Sequence, residues 1–356
     1  MANMIDIYNN PSRFKEGQKV WVSFLSQNLT LLAVYPSYNR IVCLFQKMDE
    51  TILVVKILRL RNDDYDLIYR QMKEYHGMLV RSGQSVPNNL QFYQWFDEHL
   101  FIQYEDYAGK TVSHEFSRMG VGQIDLSRYR KILKAILRDV ISPIFSVEKE
   151  LNTGYLISGI DPLARNITFV EADPIIRAYL VDLFPPKIFW EGKFTLEKPE
   201  PQDEIVRKLS IERSYDIDQI LITLWCSLVR AKPAFGLQAI KIISNHLDEI
   251  GEGATRNRIL KRLNGFANRG IPEQKPEEIS VLIDDWGFER VLDLRTLACY
   301  LACYKHDNDP RLLTKLEKLF FRSHFQIKPL NANEMAIVKK LVIDIAGIGN
   351  KSVLFL

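Results

Sequence analysis

The stretch from Gly159 to Asp182 constrains this chain more than any other part of it. The turn from Gly159 to Asn166 carries Asp161 and Asn166, five residues apart. Two apolar runs follow, Ile167–Glu171 and Ile175–Val181, separated by Ala172-Asp173-Pro174. Apolar runs of strand length around an Asp-Pro break read as a β-hairpin with a longer loop. Asp182 ends the second run. Antiparallel pairing returns the second strand to the place where the first began. Asp161, Asn166 and Asp182 are therefore expected at one end of the hairpin. Three oxygen-bearing side chains gathered there suit a hard divalent cation with a proton acceptor beside it.

Residues upstream give a β-rich pattern. Leu31–Tyr35, Ile41–Phe45 and Ile52–Leu58 read as strands, joined by turn material at Pro36–Arg40 and Lys47–Glu50. Lys56 lies inside the third apolar run. Burying an ammonium alone is costly. Either Lys56 snorkels to water from an edge strand, or it faces a partner or an anionic ligand. Asp64–Val80 has helical periodicity through Leu67, Ile68, Met72, Tyr75 and Leu79, and Glu74 follows Lys56 by eighteen residues. Leu90–Phe96 and Leu100–Glu105 read as two further strands before Gly109. A long amphipathic helix is expected from about Asp125 to Ser142, stopped by Pro143.

Downstream of Asp182, Glu191–Gln202 is polar and interrupted by Pro199 and Pro201, as a surface segment would be. Ser214-Tyr215-Asp216-Ile217-Asp218 opens an apolar helix, with Asp216 as the expected N-cap and Asp218 second. Stripes at Leu237–Ile250, Leu294–Tyr304, Leu312–Phe320 and Met335–Ile345 make the remainder mostly helical.

Taken in order, these residues resemble the protein-kinase-like superfamily, in particular the aminoglycoside phosphotransferase and choline kinase-like small-molecule kinases. The Asp161-x-x-x-x-Asn166 spacing, the hairpin and Asp182 match the catalytic half of that family, and Val54-Val55-Lys56 matches its third strand. The resemblance implies an α+β, two-lobed fold: a small antiparallel β lobe, then a larger mainly helical lobe with a helical C-terminal extension. The divisions it implies are an arm at 1–19, a β lobe at 20–106, a helical lobe with the catalytic loop at 107–250, and the extension at 251–356. It further implies ATP and Mg2+ as cofactors. Asp161 would be the base, Asn166 and Asp182 the metal ligands, and Lys56 the phosphate-orienting cation held by Glu74. Tyr215-Asp216 would open the helix that braces the catalytic loop. Three features depart from the family pattern. Ile160 is inserted before the acid, Asp182-Leu183-Phe184 has no glycine, and the first hairpin has none between Val34 and Leu44. Arg40 or Ser37 would then contact the nucleotide phosphates directly.

The functions this implies are a phosphotransferase acting on a hydroxyl of a small molecule, a pseudokinase-like nucleotide-binding or scaffold protein, and a protein or peptide kinase or AMP-transferring relative. Partners would be a nucleotide and a small-molecule substrate. A net charge of +3 gives no argument for nucleic acid or membrane. No apolar run approaches 18 residues, the start lacks a signal-peptide pattern, and the four cysteines contain no Cys-x-x-Cys pair. A cytoplasmic protein without a membrane span is the expectation. Cys299 and Cys303 read as small apolar residues on one helix face, and Gly347–Ser352 is not read as a phosphate loop, because Asn350 breaks its Gly-Lys-Ser order. The basic run Arg256, Arg258, Lys261, Arg262, Arg269 reads as a solvated helix face or, alternatively, an anion-docking surface.

Overall fold

Residues 19–59 fold into four consecutive antiparallel strands, β1 (Lys19–Val22), β2 (Gln27–Pro36), β3 (Arg40–Gln46) and β4 (Ile52–Arg59). The structure is a computed structural model and describes residues 4–36, 40–60, 65–95, 100–172, 175–196, 204–232 and 235–269. The stripes from Leu294 to Ile345, the Cys299/Cys303 pair, the Gly347–Ser352 stretch, Ser37 and most of the 251–356 division lie outside the described residues.

Helix α2 (Tyr65–Arg81) follows β4, and then come β5 (Gln91–Trp95) and β6 (Leu100–Asp106). The sheet order is β1-β2-β3-β4-β6-β5, so β6 pairs with β4 and leaves β5 at the edge. Register decides what each face carries. Val42 lies opposite Lys56, and Lys56 opposite Gln103. One residue pair further along the face, Leu44 lies opposite Val54 and Val54 opposite Glu105. Side chains directly across a ladder share a face, so Lys56, Gln103 and Glu105 point the same way. The opposite face is apolar: Ile41, Cys43, Phe45, Val55, Ile57 and Ile102 form a core of their own. The expected arm contributes to it. Residues Met4–Asn9 form a short helix, α1, whose Met4 and Ile7 are buried against the sheet. Burial raises the Cys43 thiol to about 12, so it stays a neutral core residue.

The second core lies on the Lys56 face and continues through the helical part. Short strand β7 (Lys110–Thr111) pairs with β8 (Ile167–Ala172), which pairs with β9 (Ile175–Leu180). Gly109 makes the β7 contact possible: with φ +91°, a Cβ there would sit 1.9 Å from the Phe169 carbonyl oxygen. Helix α3 (Val112–Arg118) precedes α4 (Gln123–Ile136).

The expected single helix to Ser142 is three pieces. α4 runs into a π turn at Leu137–Ile141 and then a 3-10 turn at Ser142–Ser146. Pro143 has no amide hydrogen to extend an α-helix, and the π turn re-aims two side chains. Asp139 Oδ2 accepts from Ala178 N at 2.9 Å, and Arg138 Nη2 donates to Ile176 O at 2.6 Å. With Leu180 N donating to Ser85 O, these contacts occupy the outer edge of β9.

The segment after Asp182 is less irregular than its prolines suggest. Strands β10 (Phe189–Trp190) and β11 (Lys193–Phe194) close over Glu191-Gly192, both at positive φ, as a two-residue hairpin turn needs. Helices α5 (Glu204–Tyr215), α6 (Ile217–Ala231), α7 (Gly236–Glu249) and α8 (Gly253–Arg269) complete the described chain. No described helix is long and apolar enough to cross a membrane.

Candidate functional site

Lys56 is buried, and its ammonium has two internal acceptors. Nζ lies 2.6 Å from Glu105 Oε1 and also donates to the Val181 carbonyl oxygen, one residue before Asp182. The second carboxylate oxygen of Glu105 accepts from Gln103 Nε2 at 2.5 Å. Three polar side chains on two adjacent strands thus satisfy one another on an otherwise apolar face.

This corrects the expected Lys56–Glu74 pair. Glu74 pairs with Arg81 at 2.8 Å on the outside of α2, with side chains 42% and 65% exposed. The cause is helical phase. The inward stripe of α2 is Ile68, Met72, Tyr75 and Leu79, which turns Glu74 away. A carboxylate supplied from the neighbouring strand fills its place. α2 still reaches the Asp161 loop, through Tyr75, whose hydroxyl donates to Gly159 O at 2.9 Å. Burial, chiefly, raises the Tyr75 phenol well above its ordinary range and keeps it a donor.

Arg40, expected on nucleotide phosphates, sits on Asp182 instead. Its Nη1 lies 2.5 Å from Asp182 Oδ1, with side chains 27% and 15% exposed. Burial acts to raise the Asp182 carboxyl. The Arg40 charge and hydrogen bond, helped by Lys56 and Arg165, outweigh it, so the net shift is downward. Asp182 in turn raises the Arg40 guanidinium.

The loop carrying Asp161 and Asn166 is built by backbone contacts. Ile160 N donates to Ser214 O at 3.0 Å, Gly159 N to Lys187 O at 2.9 Å, and Val181 N to Asn166 O at 2.9 Å. Gly159 permits this approach, since a Cβ there would lie 2.1 Å from Ser214 O. Ala164 N donates to Ser227 Oγ of α6 at 2.8 Å. Asn166 Nδ2 donates to Asp161 Oδ2 at 3.0 Å. Asp161 Oδ1 is buried with no hydrogen-bond donor, and Arg213 Nη2 is 3.6 Å away.

Asp216 caps α6, accepting from Gln219 N at 2.7 Å. Asp216→Ala should cost about 1 kcal/mol of folding stability in a chemical melt, as loss of a helix N-cap does. Asp218 binds Arg258, with Nε at 2.8 Å and Nη2 at 2.9 Å. Of the basic run, Arg258 and Arg256, the latter 2.5 Å from Asp248, tie α8 to α6 and α7. The side chains of Arg262 and Arg269 lie outside the described residues.

The structure therefore brings Asp161 and Asn166 into contact, joins Asp182 to Arg40, and connects Lys56 to the same loop through Val181. Glu74 stands apart. In this arrangement one of the two expected metal ligands, Asp182, has an oxygen taken by an internal cation. Asp182 Oδ1 faces a guanidinium, and the Asn166 amide points its N–H at Asp161. Among the described residues, no group of three or more His, Cys, Asp or Glu is placed to hold a metal. Sequence reasoning missed Glu105, Tyr75, Arg213 and Ser227. A signal existed for Glu105. Gln103 and Glu105 are polar residues two apart in an apolar strand, so both share one face, and a buried Lys56 needs such a face.

No family model matches this chain, and no curated protein matches it. Among solved structures it matches the "Structure of vaccinia related kinase 3" at 9% identity and a TM-score of 0.36, over 94% of this chain and 91% of that one.

Proposed function

We propose that this chain is a kinase-like protein that works as a binding or scaffold module, without metal-dependent phosphoryl transfer. The carrying observation is the Arg40–Asp182 ion pair at 2.5 Å. A carboxylate already neutralised by an internal guanidinium has little to offer a magnesium ion, because the cation would first have to expel a well-placed one. The exposed Glu74 and the glycine-free stretch between Val34 and Leu44 support the same reading. The order of Lys56, Asp161, Asn166 and Asp182 supports the kinase-like part of it.

One observation favours a second reading, phosphotransfer from ATP to a small-molecule hydroxyl. Asp161 Oδ1 has no hydrogen-bond donor while Asn166 steadies the other oxygen. That is how a carboxylate waiting for a substrate proton is arranged. In this reading Asp161 takes the hydroxyl proton once Arg40 has swung off Asp182.

A thermal-shift experiment separates the two, since a ligand that binds only the native state raises apparent stability. ATP with Mg2+ should leave the melting temperature of the wild-type protein unchanged. The Arg40→Ala protein, with Asp182 freed, should gain a Mg2+-dependent shift. A Mg2+-dependent shift in the wild-type protein, with ATP turnover lost in Asp161→Asn, would establish the second reading.

A further inference from the structure

Three lysines among the described residues are buried: Lys56, Lys187 and Lys232, each 7% exposed. Lys56 pairs with Glu105, and Lys232 has a partner as well. Lys187 is the exception. Its side chain makes no ion pair or hydrogen bond among the described residues. Nor is its ammonium sealed in. The buried polar atoms without a partner include an oxygen of Asp161 but not Lys187 Nζ, so the tip of this lysine still reaches solvent. A lysine buried along its length, with its charge unpaired at the mouth, lacks the counter-ion that buried charges ordinarily have.

The main chain fixes where that side chain starts. Ser158 and Ile188 form an antiparallel bridge, with Gly159 N donating to Lys187 O at 2.9 Å and Phe189 N to Ile157 O at 2.7 Å. On the other side, Pro186 O accepts from Thr195 Oγ1 at 2.5 Å. Neighbouring residues of an extended chain face opposite ways. Ile188 belongs to the core, so Lys187 turns away from it, to the side on which Gly159 meets Ser214 O. Arg213, the residue before Ser214, lies 3.6 Å from Asp161. The Asp161 charge therefore has a cation facing it, while the Lys187 charge has no acid within ion-pair distance among the described residues.

We propose that Lys187 anchors a carboxylate-binding site beside the Asp161 loop. This rests on the reading of the chain as a module that binds without metal, and it names the chemistry bound. An ammonium is a compact point charge that takes one oxygen well, and a charge-assisted hydrogen bond to a carboxylate is about twice as strong as a neutral one. Charge selects between oxyanions. One unmatched positive charge is balanced by one carboxylate. A phosphate monoester carries about −1.5 to −2 at pH 7 and would leave negative charge next to Asp161.

The test is calorimetric titration of the full chain, in EDTA, with glutarate, a peptide of alternating Ala and Glu, the matching Ala-Gln peptide, and phenyl phosphate. At least one of the two acids should bind with a sub-millimolar Kd, and the Ala-Gln peptide at least tenfold more weakly. Glutarate binding as tightly as the acidic peptide would make a small acid the source of the carboxylate; the peptide binding with glutarate silent would make it a partner chain. Lys187→Met keeps the length of the stem and removes the charge. It should weaken binding of the acid tenfold or more and leave the melting temperature of the unliganded protein unchanged or higher, since no internal pair is lost. No heat from either acid up to several millimolar overturns the proposal, as does an unchanged Kd in Lys187→Met. A lower melting temperature in that variant also overturns it, because the ammonium would then be serving the fold. Phenyl phosphate binding in place of both acids would overturn the choice of carboxylate. All of these outcomes leave the metal-free reading of Asp182 to stand or fall on the Mg2+ experiment above.

Discussion

Glu105→Ala should destabilise this protein by about 3–5 kcal/mol, the range found when one partner of a buried ion pair is removed. The Lys56 and Glu105 side chains are 9% and 2% exposed and 2.6 Å apart, so neither can turn to water when the other is lost. In Glu105→Ala, the Lys56 ammonium keeps only the Val181 carbonyl, and Gln103 loses its acceptor. The comparison that gives this meaning is the double variant Lys56→Met/Glu105→Leu. Two apolar side chains of similar length remove both charges, and such exchanges are often neutral or stabilising. Chemical denaturation should show the single variant far below wild type and the double variant within about 1 kcal/mol of it. If the double variant is as unstable as the single one, the triad is not a self-contained unit of the sheet.

Arg40→Ala should cost about 2–4 kcal/mol near neutral pH, somewhat below a fully buried pair because Arg40 is 27% exposed. Its larger signature is in pH. In the wild-type protein the folded Asp182 carboxyl lies below its unfolded value, which is near 3.9. A group lowered on folding adds stability above its unfolded pKa and loses it as the pH falls through the folded one. Removing Arg40 leaves burial as the main influence, which acts upward. The carboxylate then opposes folding above pH 4 and stops doing so once protonated. The deficit of Arg40→Ala relative to wild type should therefore be greatest at pH 6–7 and shrink steadily between pH 5 and 3. Urea melts across that range give the answer. A deficit independent of pH would mean that Arg40 serves the fold through packing, with no electrostatic hold on Asp182.

Much of the described fold was legible in the sequence because its signals are local. β3 and β4 carry apolar runs, broken in β4 only by Lys56, the Asp173-Pro174 break separates β8 from β9, and Asp216 sits where an N-cap should. Asp161 and Asn166 were read as neighbours from spacing alone, and they are hydrogen-bonded. Other features were not legible, because period and composition do not encode them. α1 is too short to show periodicity, and it is held by the sheet face it covers. The π turn at Leu137–Ile141 answers to β9, thirty-nine residues further on from Asp139 to Ala178.

By itself, the sequence places polar groups in apolar runs: Lys56 in one strand, Gln103 and Glu105 in another, and Asp182 at the end of a third. It could not determine who meets whom. A lysine in a strand seeks any carboxylate its register brings within about 3 Å, and an inverted helical phase or an added strand changes the answer without altering the local pattern. The order of strands put Glu105 rather than Glu74 beside Lys56, and the start of β3 put Arg40 on Asp182. Those two pairings set the immediate surroundings of Lys56 and Asp182. Both join residues separated by long stretches of chain, so only the packed tertiary structure selects them.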